Sequence, residues 1–221
     1  MKVVALIPIK LNNERLPGKN TKRFFDGTPL MHLIQRVCLE TNGIDETYVY
    51  CSDERVTSFL LPGIKFLKRP EYLDGNDCSS IHIISEFLRE VEADVFLETH
   101  ATAPFAKPST FETCISRLVD GKNDSAFCAR RLLTYLWQND KPLNFDMAGF
   151  TRTQDLPPIH AEAPGAYLFT KEVFGRFGRR VGENPYICEI SAIEAIDIDY
   201  PEDFELANMI YKEMTVRNGN G

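Results

Sequence analysis

Several features that would place this chain in a familiar class are missing from it. No apolar run approaches the roughly 18 residues that a transmembrane helix needs. The opening Met1–Pro8 (MKVVALIP) is too short and too β-branched for a signal peptide, and no A-x-A cleavage site follows. It reads as the buried first strand of a cytoplasmic protein with no membrane partner. Positive charge is in deficit: 25 Lys and Arg against 32 Asp and Glu leave a net charge of -7. An acidic surface repels nucleic-acid backbones and excludes a broad nucleic-acid footprint. The main local basic cluster is Lys10, Arg15, Lys19, Lys22 and Arg23. The six cysteines form no C-x-x-C pair and no Cys/His spacing that suits zinc. Set mostly in apolar stretches, they read as small hydrophobes kept as reduced thiols. The chain also has no Walker A loop, no G-x-G-x-x-G fingerprint, no internal repeat and no low-complexity segment.

What is present is an alternation. Apolar residues make up 43% of 221 residues, enough for the core of one α/β domain with a small appendage. Strand-like runs at Val3–Ile9, Thr47–Cys51, Ile64–Leu67, Asp94–Leu97 and Ser125–Ala129 alternate with helical patterns at Pro29–Thr41, Ser79–Val91 and Pro108–Val119. This predicts a single Rossmann-like, mostly parallel sheet with helices on both faces. Ligands of such sheets bind outside the carboxyl ends of the strands. The loops after Ile9, Cys51 and Leu97, and after the last strand, are therefore the places for chemistry. The pattern breaks over Leu132–Ala163, which reads as a protruding β-rich arm. Ala166–Thr170 re-enters the sheet, Ala195–Ile198 is the expected last strand, and Pro201–Met214 is a closing amphipathic helix entered through Asp199 and Pro201. The expected organisation is a nucleotide-binding part at 1–131, an arm at 132–163, the remainder of the domain at 164–217 and a frayed tail at 218–221.

The loop after the first strand, Ile9 to Asn20, joins small polar residues, a Pro-Gly turn and several cations. A triphosphate carries about four negative charges and needs fixed N–H donors and cations at close range. This loop supplies both; read by its chemistry alone, it is equally a solvated surface loop with scattered charge.

Near the other end, Asp197 and Asp199 are two residues apart, so in a strand both project to the same face. Adjacent carboxylates repel unless a cation joins them, and Mg2+ takes such oxygen ligands. Asp199 also suits a helix cap, which is compatible with ligation.

The motifs resemble, in order, those of the acylneuraminate cytidylyltransferases and the related Kdo cytidylyltransferases, from about Val4 to Ala207. Leu16-Pro17-Gly18-Lys19-Asn20 is similar to the L-P-x-K-N end of their signature loop; Lys10 stands where an Arg is usual, and Asn13-Glu14-Arg15 replace Ser-Lys-Gly. Arg69-Pro70-Glu71-Tyr72-Leu73 with Asp77-Cys78-Ser79-Ser80 is similar to R-P-x-x-L…D-x-x-S-S. Thr99–Pro104 resembles L-Q-P-T-S-P, with His100 in place of Gln. Arg152–Pro157 resembles R-R-Q-D-L-P, and Ala163–Tyr167 resembles N-G-A-I-Y with Pro164 in place of Asn. Ala195–Asp203 resembles I-D-I-D-T-P-E-D-L.

The resemblance implies transfer of CMP from CTP to a 2-keto sugar acid such as a sialic, legionaminic or pseudaminic acid or Kdo, with release of pyrophosphate. It implies that Lys10, Asn12, Asn13, Lys19 and Asn20 hold the nucleotide, with Glu14 turned away from the phosphates. Arg69 and Ser80 are then placed near the cytosine. His100, Thr102, Arg152, Gln154 and Tyr167 are placed at the acceptor, whose anionic group Arg152 or Arg130 would meet. Lys19, Asp197 and Asp199 are the expected catalytic set, the two aspartates holding Mg2+ or Mn2+. The arm implies a homodimer. Alternatives are a nucleotidyltransferase of the same fold with a phosphonate or sugar-phosphate acceptor or another base, a GT-A-like glycosyltransferase that also uses D-x-D, and a silent binding module.

Overall fold

The computed structural model describes every residue except Asn76, Phe150, Asn220 and Gly221. In chain order the elements are β1 (Val3–Pro8), α1 (Leu30–Glu40), β2 (Glu46–Cys51), β3 (Ile64–Lys68), α2 (Ser80–Glu90), β4 (Val95–Glu98), α3 (Pro108–Val119), β5 (Ser125–Leu132), β6 (Trp137–Gln138), β7 (Lys141–Pro142), β8 (Ile159–Thr170), α4 (Lys171–Phe177), β9 (Pro185–Glu189) and α5 (Pro201–Gly219). Seven strands form one sheet in the order β3-β2-β1-β4-β8-β5-β9, and β6 and β7 form a separate hairpin. The pairs β3/β2, β2/β1, β1/β4 and β5/β9 are parallel, while β8 runs antiparallel to both β4 and β5. The sheet is mostly parallel, as expected.

The sequence explains the layering. β1 is buried on both sides, as a central parallel strand must be. Val3, Ala5 and Ile7 face Met31 and Ile34 of α1 and Phe111 and Cys114 of α3. Val4 and Leu6 face Ile84 and Phe87 of α2 and Val173 and Phe174 of α4. α2 begins at Ser80 because Ser79 takes the cap: its side chain and that of His82 form a reciprocal capping box. All six cysteines are free; five are buried and Cys78 is half-buried.

A third apolar cluster positions the site. Leu16 and Phe24 from the loop after β1 pack against Ile198, Phe204 and Ala207 at the start of α5. Phe24 and Phe204 stack with ring centroids 5.0 Å apart. The two ends of the chain are thereby joined beside the carboxyl end of β1.

Three expectations need correction. Ala195–Ile198 is not a strand. It has the right residues, but its backbone finds no ladder: Ala195 donates back to Ser191, and Ile198 donates once, to the Thr102 carbonyl at 3.0 Å. The strand at the sheet edge is β9, which pairs Pro185–Glu189 with Ser125–Ala129. Between β8 and β9 lies α4, a seven-residue helix capped by the Thr170 hydroxyl and ended by Gly178 at φ 62. It is too short to leave a readable period. The strands flanking the arm are longer than expected: β8 starts at Ile159, opposite Leu132, so residues 159–163 belong to the main sheet. The closing helix runs on through Gly219, past Met214; Asn220 and Gly221 of the expected tail lie outside the described residues.

Candidate active site

The loop after β1 is shaped from inside. Asn20 is buried, and its amide donates to the Lys10 carbonyl at 2.8 Å, closing the loop across ten residues. Gly18 takes φ 66, a left-handed conformation that suits glycine and turns the chain into the short helix carrying Lys19. The Lys19 ammonium then donates to the Ile198 carbonyl at 2.8 Å and to Asp199 Oδ1 at 3.1 Å. Arg15 Nη1 donates to Asp199 Oδ2 at 2.9 Å. Asp199 is thus held between two cations of a loop 180 residues away. Lys10, Asn12, Asn13, Arg15, Lys19 and Asp199 wall one cleft of about 310 Å3. Glu14, expected to turn away, lines it as well.

A second cleft of about 380 Å3 opens between the ends of β1 and β4 and the start of α2. Lys10, Arg69, Ser80, Glu98 and His100 line it. Arg69 is 2% exposed. Its backbone N–H donates to the Cys51 carbonyl at 3.0 Å, its Nη2 pairs with Asp74, and its Nε has no partner in the protein. Lys10 Nζ donates to the Asp74 carbonyl at 2.7 Å, and the Ser52 hydroxyl binds the Asp74 carboxylate. With Ser79 serving as the cap, the Ser80 side chain is released to the cleft wall.

The third cleft, about 440 Å3, holds both aspartates with His100, Thr102, Tyr167 and Arg180. Asp197 and Asp199 therefore share one side, on extended backbone that belongs to no strand. Asp197 is an exposed residue of this cleft with protein atoms packed around its carboxyl. That partial desolvation, with Asp199 beside it, raises its pKa against the pull of the Thr102 hydrogen bond, Lys19 and His100. Burial also pushes the His100 imidazole down. Among the described residues, no group of three or more His, Cys, Asp or Glu side chains is placed to hold a metal ion. Two carboxylates do fit Mg2+, which would complete its shell with waters and phosphate oxygens.

Two predicted acceptor residues do not reach these clefts. Arg152 and Gln154 sit on an exposed turn at the base of the arm, where Arg152 Nε donates to Asp155 Oδ2 at 2.7 Å. Neither lines the three clefts. Arg130 is exposed on β5. The cation that lines the third cleft is Arg180, which the sequence reading missed. Its Nη1 donates to Glu98 Oε2 at 2.6 Å, and its guanidinium lies 3.6 Å from the Tyr167 ring centroid. The available signal was Glu98 itself, a charge at the carboxyl end of an otherwise apolar strand, where burial demands a partner.

The chain is 28% identical to the CMP-N,N'-diacetyllegionaminic acid synthase of Legionella pneumophila over 228 residues, covering 95% of this chain and 96% of that protein. It is 26% identical over 121 residues to the 3-deoxy-manno-octulosonate cytidylyltransferase of Escherichia coli, a match that spans 54% of this chain and about half, 47%, of that enzyme's length. The solved structure of a CMP:2-keto-3-deoxy-manno-octonic acid synthetase complexed with CTP superposes with a TM-score of 0.74 at 18% identity, covering 97% of this chain and 100% of that one. The last of these is a likeness of fold. Cytidylyltransferase sequences as a family match residues 4–220, nearly the whole length, and the chain therefore belongs to the cytidylyltransferase family of nucleotidyltransferases.

Proposed function

We propose that this enzyme transfers CMP from CTP to a 2-keto sugar acid of the sialic, legionaminic, pseudaminic or Kdo type. The supporting observation is the Lys19 ammonium, which bonds Ile198 and Asp199 and so ties the loop after β1 to the aspartate pair. In this reading the triphosphate lies in the first cleft against Lys10, Lys19 and the backbone near Asn12 and Asn13. The base enters the second cleft beside Arg69 and Ser80, and the acceptor enters the third beside His100, Thr102 and Tyr167. Asp197 and Asp199 would hold Mg2+ or Mn2+, which would neutralise charge on the α-phosphate and polarise it. A triphosphate competes with Asp199 for Lys19 and Arg15. As those cations move to phosphate, they free the Asp199 carboxylate oxygens, which would then be able to hold the metal. The acceptor hydroxyl gives up its proton to water as its oxygen attacks the α-phosphorus in line, a new P–O bond forms, the bond to the β-phosphate oxygen breaks, and pyrophosphate departs. Positioning and charge neutralisation supply the rate. The acceptor's acid group meets Arg180 in this cleft, where the arm arginines do not reach within one chain.

The arm supports a homodimer as a further part of the proposal. It carries Trp137 at 56% exposure, with Tyr135 and Phe145 packed on one another. Such aromatics suit an interface, and a partner's arm is the route by which Arg152 and Gln154 would approach an acceptor. No helix among the described residues is long and apolar enough to cross a membrane, and we place the enzyme in the cytoplasm, with its nucleotide substrate.

A pyrophosphate-release screen of four nucleotides against these sugar acids, a phosphonate and a sugar phosphate tests the function. Pyrophosphate and a CMP-sugar from CTP plus one sugar acid are expected. Product only with the phosphonate or sugar phosphate moves the acceptor class, release of a nucleoside diphosphate makes the chain a glycosyltransferase, and nucleotide binding without turnover makes it a binding module.

A further inference from the structure

Glu98 ends β4 with a side chain that is fully buried. Its two oxygens have different fates. Oε2 accepts from Arg180 at 2.6 Å, on the side of the acceptor cleft. Oε1 accepts no hydrogen bond within the protein; His100 Nε2 lies 3.9 Å from it, beyond hydrogen-bond reach. Yet Glu98 walls the cleft of Lys10, Arg69 and Ser80, and His100 walls it too. A carboxylate oxygen buried without a donor is costly, so the cleft wall carries an acceptor that a ligand must satisfy. The same cleft carries one orphan of the opposite kind, the Arg69 Nε–H, a donor with no acceptor.

One lone acceptor and one lone donor, both buried in one cleft, describe the complement of a base edge. A carboxylate accepts only, and its best complement is a group that donates only. Phosphates and an acid group are repelled by it, and hydroxyls donate and accept alike. Cytosine presents an exocyclic amine, a pure donor, next to the ring acceptors N3 and O2. Uracil presents a carbonyl oxygen where the amine was. We propose that Glu98 is the residue that selects cytosine over uracil, its Oε1 accepting from the exocyclic amine while Arg69 Nε donates to a ring acceptor. Arg180 is a positioning residue here: it fixes the carboxylate and turns one oxygen away from the base. The inference rests on the cytidylyl reading above.

Titration calorimetry with Mg2+ tests it, using CTP, UTP and the pyrimidin-2-one ribonucleoside triphosphate, which lacks only the amine. The wild type should bind CTP about ten-fold or more tightly than the other two. In Glu98→Gln, the amide oxygen keeps Arg180 and its NH2 turns to the base, so the CTP-over-UTP ratio should fall about ten-fold or more at an unchanged melting temperature. A structural role would lower stability and leave that ratio alone. A wild-type preference that survives intact in a folded Glu98→Gln overturns the inference and spares the cytidylyl reading; a wild type with no preference between CTP and UTP overturns the cytidylyl reading itself. If Glu98→Gln does not fold, Glu98→Asp keeps the charge and withdraws the oxygen by one methylene. It should lose the ratio to the same degree, and full retention overturns the inference.

Discussion

At the scale of single residues, Asp197 and Asp199 show how neighbours assign different work to the same functional group. Asp199 is gripped by Lys19 and Arg15, while Asp197 has one hydroxyl, from Thr102, and a raised pKa. An aspartate whose folded pKa lies above its ordinary value destabilises the fold when it ionises, so its charge at neutral pH serves something other than stability. Asp197→Asn should therefore lower turnover by orders of magnitude in the pyrophosphate assay while leaving the melting temperature unchanged or slightly raised. Near-normal turnover would remove Asp197 from the chemistry. The side-by-side placing of Asp197 and Asp199 was legible in the sequence from their spacing, and Lys19 was singled out by the resemblance of its loop to the cytidylyltransferase signature. Arg180 was not, because nothing within its own segment marks it; its role comes from Glu98, 82 residues away.

Elements are held by a few polar knots, and two of them make predictions. Asp124 sits just before β5 and accepts from the backbone of Glu183 at 2.7 Å and Asn184 at 2.9 Å, which aligns the entry to β9. Burial works to raise its pKa, and these bonds with that from Ser125 reverse the sign and lower it. Gly182 passes so close that an added Cβ would collide with the Asp124 carboxylate. Gly182→Ala should destabilise the protein by about 1–3 kcal/mol, seen as a melting temperature several degrees lower. No change would show that the knot is loose. Glu46 opens β2 and bridges its neighbours: Lys65 of β3 donates to it at 2.7 Å, and Lys2, just before β1, lies 3.1 Å away. Lys65, Lys2 and the Tyr48 hydroxyl hold its carboxyl at about 2, below the ordinary 4.5. The unfolded chain therefore takes up this proton first. The stabilisation is complete above pH 4.5 and is lost as pH falls toward 2. Urea melts of wild type and Glu46→Gln should differ at neutral pH and converge across that acid window; a gap that persists at its lower end would assign the bridge no role. β9 escaped the sequence reading because its five residues carry neither a sustained alternation nor a turn signal strong enough to outweigh Ala195–Ile198.

For the whole molecule, the sheet brings three clefts to the carboxyl ends of β1 and β4, with His100 common to the second and third and Asp199 common to the first and third. The arm extends from the β5 and β8 pair and leaves Trp137, Leu143 and Met147 exposed. Sedimentation of the wild type should give a dimer. Trp137→Ser together with Leu143→Ser should shift it toward monomer and raise KM for the acceptor more than KM for CTP. A wild-type monomer would leave Arg152 and Gln154 without a site to serve.

The sequence by itself determined most of the periodic elements, the buried first strand and the one-sided placing of the D-x-D pair, because each depends on residues within a few positions of one another. Tertiary structure alone decided which strand takes the sheet edge, that the aspartates lie on unpaired backbone, that Arg180 meets Glu98 and that Arg152 points elsewhere. Those outcomes depend on which distant surfaces compete for the same partner: β9 occupies the edge of β5, and Leu16 and Phe24 take Ile198 and α5 into a shared core. No local pattern records the result of that competition.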